Sequence, residues 1–119
     1  MIPTSIGILQ QKQAPVGLIQ TDVTELYAAY IRYAYSGYCA INVTPDTIAT
    51  TITKIDTGDG VIFATVTPTS GTGDYSFRVR TASNNNTGSA KSMTLRITDN
   101  AGIALPVDIT FIQYPEAIY

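Results

Sequence analysis

Alternation of apolar and polar residues through the C-terminal half constrains this chain more than any other feature. Tyr75, Phe77, Val79 and Thr81 fall on one side of an extended segment. Met93, Leu95 and Ile97 do so on a second, and Leu105, Val107, Ile109 and Phe111 on a third. A repeat of two is that of a strand, whose successive side chains point to opposite faces. Strands with one apolar face need a covering layer, so the pattern calls for a second sheet packed on the first.

Extending the reading upstream gives candidate strands at Tyr38–Thr44, Thr47–Ile55, Val61–Thr67, Tyr75–Ala82, Lys91–Thr98 and Leu105–Ile112. Turn chemistry separates them at Pro45-Asp46, Asp56–Gly60, Pro68–Asp74, Ser83–Ala90 and Asp99–Ala104. A further strand is expected near residues 29–35, where tyrosines alternate ahead of Ser36-Gly37, with a short helix before it from Asp22 and Glu25 as the competing reading. About seven short strands at this spacing predict an all-β, antiparallel sandwich over residues 26–119. Residues 1–25, broken by Pro3, Gly7, Pro15 and Gly17, read as an extended N-terminal arm. Its apolar residues Ile6, Ile8, Leu9, Leu18 and Ile19 are costly to leave in water, which suits an arm lying along a neighbouring subunit.

At 119 residues the chain fits one domain. Charged residues make up 13%, against a usual share of about 25%. The surface is therefore rich in uncharged polar groups and suited to packing against neighbours. A net charge of −2 supplies no field to attract nucleic acid or an anionic membrane. No apolar stretch reaches the roughly 20 residues of a membrane span. The first twenty residues lack a basic segment, an apolar run and a small-residue cleavage site, so no export signal is expected.

Catalytic equipment is sparse. With no histidine, neither a Ser-His-Asp nor a Cys-His unit can be assembled. Cys39 stands alone, which removes both an intrachain disulfide and a zinc site from consideration. Asp56-Thr57-Gly58 has the look of an aspartic-protease loop, but Lys54 and the following Asp59-Gly60 favour an ordinary turn. Asp56, Asp59 and Asp74 fall short of the six to eight oxygens that calcium takes. The expectation is a non-enzymatic protein without cofactor or metal.

Two groups of residues read as contact surfaces. Tyr27, Tyr30, Tyr33, Tyr35 and Tyr38 form the densest aromatic group, and an exposed tyrosine row is more often a protein interface than a sugar platform. The polar loop Ser83–Ala90 offers Asn84, Asn85, Asn86 and Thr87 to a glycan or a partner. Arg78, Arg80, Arg96 and Lys91 point off the core face. A hairpin with Val79 opposite Leu95 would set Arg78 against Arg96, relieved either by Asp108 on the next strand or by acids on a partner.

The run VTPTSGTG (Val66–Gly73), the following strand, the asparagine-bearing loop, KSMTLRITDNAG and a closing strand ending in Gln113 resemble the BACON domain. YIRYAYSGYCAINVT looks like that family's opening strand, glycine turn and second strand. The likeness covers roughly residues 29–114; the family's usual tryptophan ahead of the turn is replaced by Val61, Ile62 and Phe63. Such domains are immunoglobulin-like sandwiches, attached to secreted glycan-degrading enzymes or present in structural proteins of bacteriophages. The resemblance implies a rigid spacer or adhesive module. Together with the arm and the tyrosines, it leads to the expectation of an auxiliary or decoration protein on a phage capsid. Its partners would be the major capsid protein or further copies of itself, with surface glycans a possible addition. The competing expectation is a carbohydrate-binding module of a secreted or cell-surface system.

Overall fold

A computed structural model describes residues 17–117 as two β-sheets packed face to face. Nine strands lie among the described residues: β1 Leu18–Thr21, β2 Glu25–Ala28, β3 Cys39–Thr44, β4 Ala49–Ile55, β5 Thr65–Thr67, β6 Ser70–Thr72, β7 Tyr75–Arg80, β8 Lys91–Asp99 and β9 Val107–Gln113. One sheet runs β1-β3-β7-β5 and the other β2-β9-β8-β4-β6. Pairing is antiparallel except between β2 and β9, which run parallel.

The alternating residues form the core. Phe77 and Val79 of β7 and Cys39 and Ile41 of β3 meet Met93, Leu95 and Ile97 of β8 and Ile109 and Phe111 of β9, all essentially fully buried. Each such side chain contributes roughly 1.5–3 kcal/mol before the entropy of ordering is subtracted. Val107 is partly buried against this cluster, whereas Leu105, expected to share its face, lies before β9 and is 73% exposed; Ala104 is buried nearby.

The edge facing β3 and β9 is a single stretch that changes sheets. β1 pairs with β3, and after Asp22–Thr24 the chain continues as β2 against β9. Asp22 holds the crossing from both ends, its carboxylate accepting the Ala40 amide at 2.8 Å and its own amide donating to the Ala40 carbonyl at 3.2 Å. The Thr110 amide then donates to the Thr24 carbonyl at 3.0 Å. The arm boundary therefore shifts. Residues 18–25 belong to the sandwich, Ile19 is a core residue rather than an interface residue, and Asp22 and Glu25 open no helix. Leu18 is exposed, while Ile6, Ile8 and Leu9 lie outside the described residues.

Four further expectations are corrected. Residues 29–35 form bends and a turn, with one bridge between Tyr35 and Arg80. Val61–Phe63 is a 3-10 turn, leaving only Thr65–Thr67 as strand. The Pro68–Asp74 turn contains β6, too short to register as alternation. Two glycines explain its sequence. A Cβ on Gly71 would sit 2.6 Å from the Tyr75 ring, and Gly73 has φ 73° with its Cβ position 2.9 Å from the Asp46 carbonyl oxygen. β7 and β8 lie in different sheets, so Val79 and Leu95 enter the core from opposite layers and form no hairpin pair.

Candidate functional site

The segment between β2 and β3 crosses one end of the sandwich with little regular structure, yet buried polar groups pin it throughout. Thr81 does most of this. Its hydroxyl donates to the Ile31 carbonyl at 2.6 Å and accepts the Ala34 amide at 2.9 Å, and its carbonyl accepts the Tyr33 amide at 3.0 Å. The Ser36 hydroxyl accepts the Val79 amide at 2.9 Å. Gln113 donates from Nε2 to the carbonyls of Tyr30 at 3.0 Å and Ser83 at 2.8 Å. Leaving any of these buried groups unpaired would cost about 1–3 kcal/mol, so the segment has one favoured path.

Asn85 completes the clasp. It is 1% exposed, and its Nδ2 donates to the carbonyls of Ser89, Gln113 and Tyr114 at 2.9, 3.2 and 3.3 Å. Its Oδ1 accepts from the Thr87 hydroxyl at 2.6 Å. The expectation of an exposed amide loop is thus corrected at Asn85, whose side chain is structural. Thr87 is occupied within the loop, and the Asn84 side chain accepts the Arg32 amide at 2.7 Å. Asn86 is exposed.

This pinning displays a strip of rings and guanidinium groups. Arg78 lies 3.7 Å from the Tyr35 ring centroid and 5.0 Å from that of Tyr38. Arg80 lies 4.5 Å from Tyr33 and 5.3 Å from Tyr35, and Arg32 lies 4.7 Å from Tyr33. The arginines on β7 alternate with buried Phe77 and Val79, which turns them to the outer face of the four-stranded sheet. Tyr33, Tyr35 and Tyr38 remain half exposed or more. Tyr33 has φ 68°, a left-handed conformation that costs a bulky residue on the order of 1 kcal/mol. Its surroundings hold it there.

The other tyrosines separate from this strip. Tyr27 points from the outer face of the five-stranded sheet and stacks on Tyr114, with centroids 5.4 Å apart. Its hydroxyl donates to Glu25, and this bond, with burial and the Glu25 charge, raises the phenol above its ordinary range. Tyr30 is half-buried and serves mainly through its carbonyl. Of the interface residues expected from sequence, the fold brings Tyr33 and Tyr35 together and leaves Tyr27 and Tyr30 elsewhere. Arg32, Arg78, Arg80 and Tyr38 join the strip. The available signal is a shared spacing, Tyr33-x-Tyr35 set against Arg78-x-Arg80.

The remaining candidates have structural roles. Arg96 makes a bidentate pair with Asp108 at 2.8 and 2.9 Å, the neighbour expected from sequence although Arg78 does not face Arg96, and it lowers the Asp108 carboxyl below the usual range. Asp56 accepts the Gly58 amide at 2.8 Å in a local turn, and Asp59 accepts the Ser92 amide at 2.9 Å. Asp74 sits at the opposite end, on the Val43 amide, so the three aspartates do not converge. Cys39 is fully buried, its thiol pushed up to about 11 chiefly by burial and then by Asp22. At neutral pH it is an unreactive core residue.

No family model matches the chain, and no curated protein matches it. Solved structures that share the fold include the following two. A Bacteroides ovatus GH5 xyloglucanase in complex with a XXXG heptasaccharide aligns with TM-score 0.61 and 14% identity, over 85% of this chain and 20% of its own. The periplasmic chaperone SfaE aligns with TM-score 0.61 and 13% identity, over 84% of this chain and 58% of its own. The chain thus spans a fifth of one and just over half of the other. At these identities the likeness is one of fold.

Proposed function

We propose that this chain is a non-enzymatic structural and attachment module, an immunoglobulin-like sandwich of the BACON type serving as an auxiliary or decoration protein on a bacteriophage capsid. The observation that carries the attachment reading is the tyrosine–arginine strip. Rings with low conformational entropy and arginines are the residue types that dominate protein contacts, and here they are held out on a pinned segment rather than buried. The capsid setting follows from the likeness of Val66–Gly73 and the Gln113-terminated strand to modules in phage structural proteins. Many copies on one particle would turn a modest contact into strong attachment.

Co-sedimentation with purified capsids tests this reading. The wild-type protein pellets with particles, and the Tyr33→Ala/Tyr35→Ala variant loses at least about tenfold in apparent affinity while keeping its thermal transition. Full retention by that folded variant overturns the role of the strip; absence of wild-type binding overturns the capsid assignment.

One observation favours a second reading, a carbohydrate-binding module: a fold neighbour is a xyloglucanase caught with an oligosaccharide. Sugar stacking needs an open ring face, however, and Arg78 occupies one face of Tyr35. Calorimetry with xyloglucan oligosaccharides separates the readings, since saturable binding abolished by Tyr38→Ala would favour the module over the capsid protein.

A further inference from the structure

Among the described residues, the charge of the strip has no ion-pair counterpart. The four arginines are Arg32, Arg78, Arg80 and Arg96, and only Arg96 is in an ion pair among the described residues. All nine Asp and Glu side chains lie within residues 17–117. Seven are engaged elsewhere: Asp22, Asp56, Asp59, Asp74 and Asp99 hold backbone amides, Glu25 takes the Tyr27 hydroxyl, and Asp108 pairs with Arg96. Neither Asp46 nor Glu116 makes an ion pair with the strip. Residues 1–16 contain one lysine and no acid, so the arm cannot supply the missing charge either.

Stacking also dictates what these arginines can bind. A guanidinium lying over a ring uses its face and keeps its edge, where the N–H groups match a carboxylate in a two-pronged arrangement. Arg78 and Arg80 are two residues apart on β7, a separation of about 7 Å along a strand. Alternate side chains of any extended peptide repeat at that interval. Directly beside them on β5 stand Thr65 and Thr67, short and uncharged.

Resting on the reading of the strip as a contact surface, we infer that its partner is an extended acidic peptide segment carrying carboxylates at alternate positions, bound edge-on by Arg78 and Arg80 with Arg32 extending the site. The rings orient the guanidinium planes and exclude water from one side. Residues 1–16 carry no carboxylate side chain to compete with a segment from another molecule.

Fluorescence anisotropy tests this with a labelled synthetic peptide of alternating Glu and Thr. Its controls are the same peptide with Gln for Glu, and one of equal charge with the glutamates in adjacent pairs. At low salt the alternating peptide binds most tightly, and Arg78→Ala and Arg80→Ala each weaken it about tenfold. Arg78→Lys weakens it as well, because an ammonium lacks the flat edge. Arg80 is exposed and Arg78 half-buried on the outer face, outside the core, so these changes leave the thermal transition in place, which separates lost contact from lost fold. Equal binding of the Gln peptide, equal binding of the paired-Glu peptide, or wild-type affinity in both alanine variants overturns the inference. So does tighter binding of chondroitin sulfate, which would assign the site to an acidic glycan. Capsid binding without peptide binding removes the inference and keeps the capsid protein; peptide binding without capsid binding does the reverse.

Discussion

Asn85 shows how much one residue decides that its neighbours do not. In Ser83–Ala90 it is one of three consecutive asparagines, and composition ranks them alike. Only Asn85 turns inward, where its side chain joins the loop before β8 to the end of β9, while its backbone amide donates to the Tyr30 carbonyl. Replacement by alanine strands several buried carbonyls. Asn85→Ala should therefore cost about 2–3 kcal/mol in urea unfolding, while Asn86→Ala changes stability by less than about 0.5 kcal/mol. The distinction was invisible in sequence because it depends on which side chain meets strand ends far along the chain.

At the scale of elements, legibility followed burial on a regular face. β7, β8 and most of β9 stood out because Phe77, Val79, Met93, Leu95, Ile97, Ile109 and Phe111 alternate without interruption. β1, β2 and β6 are three or four residues long and lie at sheet edges, so each holds too few inward positions to set a period. Residues 29–35 misled for a different reason. Their tyrosines favour a strand, but Thr81 and Asn85 satisfy the backbone in another shape. Leu105 and Leu95 give a direct comparison. Leu95→Asp places an unpaired charge in the core and should abolish the cooperative thermal transition, whereas Leu105→Asp should leave it within a few degrees of wild type. A folded Leu95→Asp protein would contradict the core described above.

For the whole molecule, stability should be flat through neutral pH and fall at both extremes. The Asp99 carboxyl is held below its ordinary range by the amides of Ala104, Ala101 and Ile103, and Asp108 by Arg96. Carboxyls lowered by folding stabilise fully above their unfolded values, near about 4, and that contribution disappears as pH falls through the lower folded values. Tyr27, raised chiefly by its bond to Glu25, and Tyr75, raised by burial, act in the opposite sense. Their contribution holds below about pH 10 and is lost above it. Urea midpoints measured from pH 2 to 11 should trace this plateau with two falling limbs; a slope between about pH 6 and 8 would contradict it, since the chain has no histidine to titrate there. The candidate site was legible only in its ingredients. Tyr33, Tyr35, Arg78 and Arg80 all stood out in sequence, but their meeting required the Tyr35–Arg80 bridge, a contact between segments some 45 residues apart.

The parallel pairing of β2 with β9 also sets how the sandwich carries tension. Residue 17 emerges at one end and residue 117 at the other, so a pull on both slides these two strands lengthwise past each other. Every hydrogen bond between Glu25–Ala28 and Thr110–Gln113 is then strained together rather than opened in turn like a zip. Such a clamp yields late and all at once, which suits a part that must hold fast under a tug.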